Sequence, residues 1–534
     1  DFNPFKVEYT AGDVNHLVIQ GGKRSGDIEY MGKTSDSYNH YADGNPLNLT
    51  YKGKFHALTD FLSLSFYDSA DDKSVKSFGR IIFDSSLDLG RVGSGSDAGV
   101  WEGVRFYDAN VESFENYTKF VTANSAFDIY GYEGSKVGKF LNYGTIQALN
   151  DDELMYIDQD VSLSSFQVSP SAEFISLNES DESVVNDSYS IKWGVGDPDE
   201  DSRFGLERII LAGKRSDRIR VGDADEMSVA ILGWNDDNRG INEAKDFPNL
   251  KFWQVGADQE GPYDDSKVVW EFGGEGGYAD VDAITIDIVR GTARLASVNG
   301  FGDYFVKKNL KEGEILSKVI VKKDGALDLY GNSVSIDDLE FKGGTLKNSK
   351  GDVEASLDSG FVIDNGVSIQ VDGPLKVSGG IKGKGGLSKS GSAELILSGA
   401  STYEGSTAIE DGQLSVTGNL PNTTEVIVKK NAYYNVYSSD TVGSISGDGN
   451  IEIAQLETLS AGELDSEFSG EIYGAGKFRK VGKGQLTFSG KNTYTGNTEI
   501  IKGDLIAGSL TAIPKDSAVK IGGSGHLDLS SLNE

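Results

Sequence analysis

The sequence predicts an all-β chain wound as a solenoid of stacked parallel coils, and three observations predict it. Short apolar runs alternate on a two-residue period, glycines close those runs, and a long block of sequence recurs at a fixed offset. The alternation is plain in Glu394–Leu397, where Leu395 and Leu397 share a side, and in Gln485–Phe488, where Leu486 and Phe488 do. Leu414 and Val416 follow the same rule. Period two is the strand signature, and no long stretch carries apolar residues at helical spacing with proper caps. Glycine is abundant at 68 residues and proline scarce at 9, so tight turns are served by positive φ and a collagen-like chain is excluded. A hydrophobic content of 38% supplies a core and excludes a disordered chain.

The recurring block runs from Gly385 as GGLSKSGSAELILSGASTYEGSTAIEDGQLSV, and from Gly476 as GKFRKVGKGQLTFSGKNTYTGNTEIIKGDLIA. The two copies, residues 385–416 and 476–507, align without a gap at an offset of 91. Leu387 matches Phe478, Lys389 matches Lys480, and Leu395 matches Leu486. Gly391, Gly399, Tyr403 and Gly405 match Gly482, Gly490, Tyr494 and Gly496. Smaller echoes surround them: VIVKK at Val319 and Val426, and I-x-G-x-G at Ile381, Ile445 and Ile472. Strands this short cannot each bury a face alone, whereas stacked coils cover one another. With about 20–25 residues per coil, the offset corresponds to roughly four coils. A chain wound throughout would form a rod roughly 100 Å long.

The two copies resemble the autotransporter-associated β-strand repeat, whose pattern approximates G-x-L-x-K-x-G-x-G-x-L-x-L-x-G-x-N-T-Y-x-G-x-T-x-I-x-x-G-x-L. The copy from Gly476 follows it through Asn492–Gly496, and the copy from Gly385 departs at Ser401. The resemblance covers residues 315–534. It implies a right-handed parallel β-helix, exported by the type V route as the passenger of a Gram-negative autotransporter. It also implies a β-barrel translocator outside this chain as a partner. The expected location is extracellular, displayed on the outer membrane or released from it.

Residues 1–310 keep frequent strand-like runs, such as His16–Gln20, Arg80–Phe83 and Ile284–Val289, without a clean period. All five tryptophans fall there, and acidic loops cluster at Asp197–Asp201, Asp223–Glu226 and Asn235–Asn238. We read an irregular β-rich or β-helix functional region over 1–310 and a regular stem over 311–534, with the boundary in the charged Lys307–Gly313 stretch.

The net charge of -33 repels nucleic acid and anionic lipid, so no nucleic-acid partner is expected. The chain lacks cysteine, which removes thiol nucleophiles and thiolate zinc sites. It also suits passage through a periplasm and a narrow pore. No apolar run reaches membrane-spanning length. Asp1–Pro4 does not open a signal peptide, so the export signal and anchor are expected to lie outside these residues.

Catalytic motifs are missing. Gly93–Asp97 is the nearest text to a Gly-Asp-Ser-Gly nucleophile segment and does not match it. His16, His40, His56 and His526 sit in no familiar motif, so no catalytic residue is assigned and enzymatic activity is not expected. Carboxylates such as Asp280, Asp282 and Asp287 are too numerous to single out a pair. Asp197, Asp199 and Asp201 alternate like calcium-loop ligands, but Ser202 and Arg208 stand where glycine and glutamate belong. Calcium is thus a weak candidate and no other cofactor is implied. Trp101, Trp193, Trp234 and Trp253 are the binding candidates, because exposed tryptophans anchor protein and glycan contacts. The competing reading is that they fill a core.

The leading functional reading is an adhesin or virulence passenger that binds a surface protein or glycan of host cells or bacteria. Two other classes stay open: the non-catalytic stem of a serine protease, and a secreted vacuolating-type cytotoxin.

Overall fold

The computed structural model describes residues 285–295 and 314–532 and, before them, only strands with a few adjoining positions, many as backbone alone. The chain divides into two compact units, residues 1–284 with 303–308 and residues 285–302 with 309–534. Among the described residues every strand pairing but one is parallel, apart from one isolated antiparallel bridge, and the sole helical turn is Ser530–Leu532.

In the first unit, eight strands stack as one parallel ladder, from His16–Gln20 through Leu47–Lys52, Ser77–Phe83, Asn110–Asn116 and Lys136–Asn142 to Phe252–Val255. A second ladder joins Ser37–Ala42, Phe61–Asp68, Val100–Tyr107 and Phe127–Gly131 and ends at Ser228–Trp234. The early half is therefore wound as coils, with longer and uneven excursions between strands. That unevenness hides its period in the sequence. Ile81, Phe114 and Phe140 lie in register and are buried, and the Phe114 and Phe140 rings stack at 5.2 Å. Arg80 spans the same ladder to Glu115 through two hydrogen bonds of 2.8 and 2.7 Å. Burial works to raise the Glu115 carboxyl, but Arg80, Ser113 and Tyr117 together hold it below the usual range.

The second unit holds a parallel solenoid of about 11 turns. Each turn contributes to three faces. The first face stacks Thr345–Asn348, Val367–Val371, Leu387–Ser390, Thr407–Ile409, Glu425–Val428 and Ser444–Gly447, and continues to Gln485–Phe488. The second stacks Ala355–Leu357, Leu375–Val377, Glu394–Leu397, Gln413–Val416, Tyr433–Val436, Asn450–Ile453 and Glu471–Gly474. The third runs from Phe361–Ile363 and Ile381–Gly383, through irregular turns near 402 and 420, to Asp440–Thr441, Thr458–Ala461 and Lys477–Lys480.

Alternation now acquires its partner. Ile369, Lys389, Ile409, Val428, Gly447, Phe468, Phe488 and Ala507 form one inward column of the first face, with successive partners 19–21 residues apart. Leu375, Leu395, Leu414, Tyr434, Ile451 and Ile472 form an inward column on the second face, with successive partners 17–21 residues apart, and all are buried. Each fully buried aliphatic contributes about 1.5–3 kcal/mol, so stability accrues turn by turn.

The corners demand close approach. A Cβ on Gly470 would lie 1.8 Å from the Gly449 carbonyl oxygen of the turn below. Gly522 has no neighbour within 4 Å of such a Cβ. Gly470→Ala should lower stability by about 2 kcal/mol or more, and Gly522→Ala by no more than about 0.5 kcal/mol. Thermal denaturation of the two variants checks this, and equal loss would count against the packing described.

Candidate functional site

The repeated block is the best-defined constellation in the described residues, and its two copies do not sit above one another. In the first copy, Leu387–Ser390 lies on the first face and Glu394–Leu397 on the second. In the second copy the equivalent strands move on by two faces, Lys477–Lys480 to the third and Gln485–Phe488 to the first. The offset of 91 residues is thus four turns and two thirds of a fifth, not the roughly four turns expected. The turns average just under the 20–25 residues assumed, and the same local sequence serves any face. The I-x-G-x-G echoes agree: Ile381–Gly383 is on the third face, Ser444–Gly447 on the first and Glu471–Gly474 on the second. Gly383, Gly447 and Gly474 all adopt positive φ, at 115, 104 and 103 degrees.

Inside each copy the tyrosine anchors a chain of hydroxyls. Tyr403 and Tyr494 are fully buried. Tyr403 Oη shares a 2.5 Å hydrogen bond with Thr407 Oγ1, which shares one of 3.0 Å with Thr424 Oγ1, which donates to the Gly405 carbonyl. The second copy repeats this as Tyr494, Thr498, Ser517 and the Gly496 carbonyl, at 2.6, 2.8 and 2.8 Å. Burial pushes the Tyr403 phenol well up and that of Tyr494 to about 12, so both stay protonated. Each chain crosses from one turn to the next and leaves no hydroxyl free for outside chemistry. Asn492 clamps three turns together, since its Oδ1 accepts from Ile472 N at 2.8 Å and its Nδ2 donates to Ala512 O at 2.6 Å. Ser401 keeps half of this role, accepting from Ile381 N at 3.2 Å.

Each copy also buries a lysine among aliphatic neighbours. Lys389 lies between Ile369 and Ile409, and Lys480 between Ala461 and Ile500. Lys389 Nζ donates to the carbonyls of Gly391 and Asp411 at 2.5 and 2.6 Å. Lys480 Nζ donates to those of Gly462, Val481, Gly482 and Lys502, at 2.9–3.2 Å. These oxygens line the turns opened by Gly391 and Gly482, whose φ values are 83 and 74 degrees. Burial draws the Lys389 ammonium down to about 8 against the pull of Asp411. Burial lowers Lys480 as well, with Asp504, Glu463 and Asp465 opposing. The ammonium satisfies carbonyls that would otherwise be orphaned in the wall of the coil.

Residues 387–416 and 478–507, the two spans so described, match the passenger-associated-transport repeat family. These repeats mark the chain as part of an autotransporter passenger. No curated protein and no solved structure matched it. The repeat family implies a secreted or surface-exposed protein. In its repeats, Gly391 and Gly482 take positive φ. Gly399, Gly490, Gly405 and Gly496 lie where a Cβ would come within 2.6 Å of the adjacent turn's backbone.

The other candidates fall elsewhere. Trp101, Trp193, Trp234 and Trp253 lie in strands, with side chains outside the described residues. Trp270 is fully buried, so this one tryptophan fills a core. Asp197, Asp199 and Asp201 lie outside the described residues, as do Asp280 and Asp282. Asp287 sits in a strand and pairs with Lys322 at 2.9 Å. His526 sits in the strand Val519–Asp528, 3.4 Å from Asp504. Among the described residues no three His, Cys, Asp or Glu side chains gather in a metal-binding group. Sequence reading saw Lys389 and Lys480 match but not their task. Their one signal was a lysine at an apolar-phase strand position in both copies.

Lys480→Met should destabilise the passenger by about 1–3 kcal/mol, more than Lys389→Met, because four carbonyls rather than two lose their donor. Tyr494→Phe should cost about 1 kcal/mol; denaturant titration ranks the three. The lysines also set a pH dependence. Their folded-state values are depressed, so between about pH 8 and the ordinary lysine value of 10.5 the unfolded chain binds more protons. Stability from these groups therefore rises with pH across that window. Wild-type Tm should gain on that of the Lys389→Met, Lys480→Met double variant from about pH 8 to about pH 10, and parallel curves would refute the assignment.

Proposed function

We propose that the passenger is an adhesin, displayed on the outer membrane or released from it, that binds a surface protein or glycan of host cells or neighbouring bacteria. The repeat-bearing coils over 311–534 serve as its stem, and residues 1–310 carry recognition. The observation behind this division is where the repeats spend their polar groups. Tyr403, Tyr494, Lys389, Lys480 and Asn492 are buried and bonded to the hydroxyls and carbonyls of their own turns. Such a block builds length and rigidity rather than a contact surface. Turn-on-turn growth also suits a chain that emerges through a pore and folds as it leaves, with its own β-barrel translocator as the first partner.

Replacing Trp101, Trp193, Trp234 and Trp253 together by Ala in the whole passenger should weaken adhesion of passenger-coated beads to cultured cells by about tenfold or more, as loss of aromatic anchors does. Unchanged adhesion, with thermal stability retained, would remove these residues from recognition.

A further inference from the structure

The second face of the solenoid carries a cluster that the repeat does not account for. Register places its outward side chains in columns: Glu394, Gln413, Tyr433, Asn450 and Glu471 in one, and Ile396, Ser415, Asn435, Glu452 and Tyr473 in the next. Tyr437 follows the Tyr433–Val436 strand, with its backbone bonded to Val416 below. Glu452 therefore sits one rung above the pair Tyr433 and Tyr437, and one rung below Tyr473. With rungs about 4.8 Å apart and same-side residues about 7 Å apart, all three tyrosines lie within about 8–9 Å of Glu452, Cα to Cα.

The floor of this triangle is built. Ser415 and Asn435 point outward by register, yet they are only 1% and 4% exposed. Asn435 Nδ2 donates to Ser415 Oγ at 3.1 Å, and Ser415 Oγ donates to Glu394 Oε1. Above that floor Tyr433 and Tyr437 stay exposed, at 37% and 43%, large areas for aromatic side chains on a sheet face.

The charged groups that act on the Tyr437 and Tyr473 phenols are carboxylates. Burial and then the carboxylates Glu452 and Glu394 push the Tyr437 phenol up. Burial and then Glu452, with Tyr433, Tyr437 and Glu471 behind it, push that of Tyr473 to about 12. Lys376 marks the lower end of the column, two rungs beneath Ser415. Three electron-rich rings around a carboxylate favour a cation over a neutral group. The ring faces attract it, and the carboxylate completes the pair.

We propose that the Glu452 triangle on the second face is a docking site for a basic segment of a partner protein, taking one arginine or lysine side chain between Tyr433, Tyr437 and Tyr473. Arginine fits best, since its planar guanidinium stacks on a ring while its edge meets a carboxylate. This goes beyond the adhesin reading and is independent of the recognition assigned to residues 1–310.

The test uses the whole passenger and a fluorescein-labelled pentapeptide, Gly-Arg-Gly-Arg-Gly, in about 0.15 M salt, where diffuse attraction to a negative protein is screened. Fluorescence anisotropy should show binding that Glu452→Gln, Tyr437→Leu and Tyr473→Leu each weaken about tenfold. Glu410→Gln removes the same charge from an exposed position off this face and should change nothing. These side chains point out of the coil, so unchanged Tm certifies folding. Equal weakening by Glu410→Gln would reduce the effect to bulk charge and overturn the proposal. So would absence of peptide binding, or binding of a neutral oligosaccharide in its place through the same tyrosines. No cells enter the assay, so its failure leaves the adhesin reading standing.

Discussion

Everything in the solenoid depends on one constraint: parallel backbones stacked at about 4.8 Å must hydrogen-bond turn to turn with nothing left over. That spacing decides which residues are tolerated where. Inward columns take aliphatics and aromatics that pack on like neighbours, such as Leu395, Leu414, Tyr434 and Ile451. Corners take glycine, because at Gly470 or Gly490 a Cβ would fall within 2.0 Å of a carbonyl oxygen in the turn below. Where a corner bends carbonyls inward, a donor must be brought to them, and Lys389 and Lys480 bring it.

The repeat can therefore be understood as a portable solution to the corner problem. Its glycines open the turn, its lysine satisfies the exposed carbonyls, and its tyrosine and threonine tie the next turn on. None of these tasks depends on which face the block occupies, and the two copies do occupy different faces. A burial-raised phenol that remains a donor and a caged ammonium that remains hydrogen-bonded are both matched to the interior of a coil. In such an interior an unpaired polar group would cost about 1–3 kcal/mol.

Much of this was legible beforehand. The two-residue period in Glu394–Leu397 and Gln485–Phe488 gave their inward pairs correctly, because side-chain alternation is a local property of an extended chain. Tyr403 and Tyr494 could be seen as equivalent from their shared spacing, though their threonine partners could not be assigned bonds. The first 284 residues showed strands but no period, since their parallel partners are separated by loops of uneven length. The tyrosine triangle was invisible, because Tyr433, Tyr437, Glu452 and Tyr473 belong to three successive turns and no motif joins them.

The amino-acid sequence alone determined that the chain is all strand and turn, that its coils stack, and that two blocks are passenger repeats. Those properties are written within a few residues or in direct self-similarity. Tertiary structure alone decided which residues share a face. Face assignment depends on the summed lengths of all intervening turns, and a change of one residue per turn accumulates over several turns into a different side of the solenoid. For that reason the 91-residue offset carried the second repeat around the axis, and Glu452 came to stand among three tyrosines.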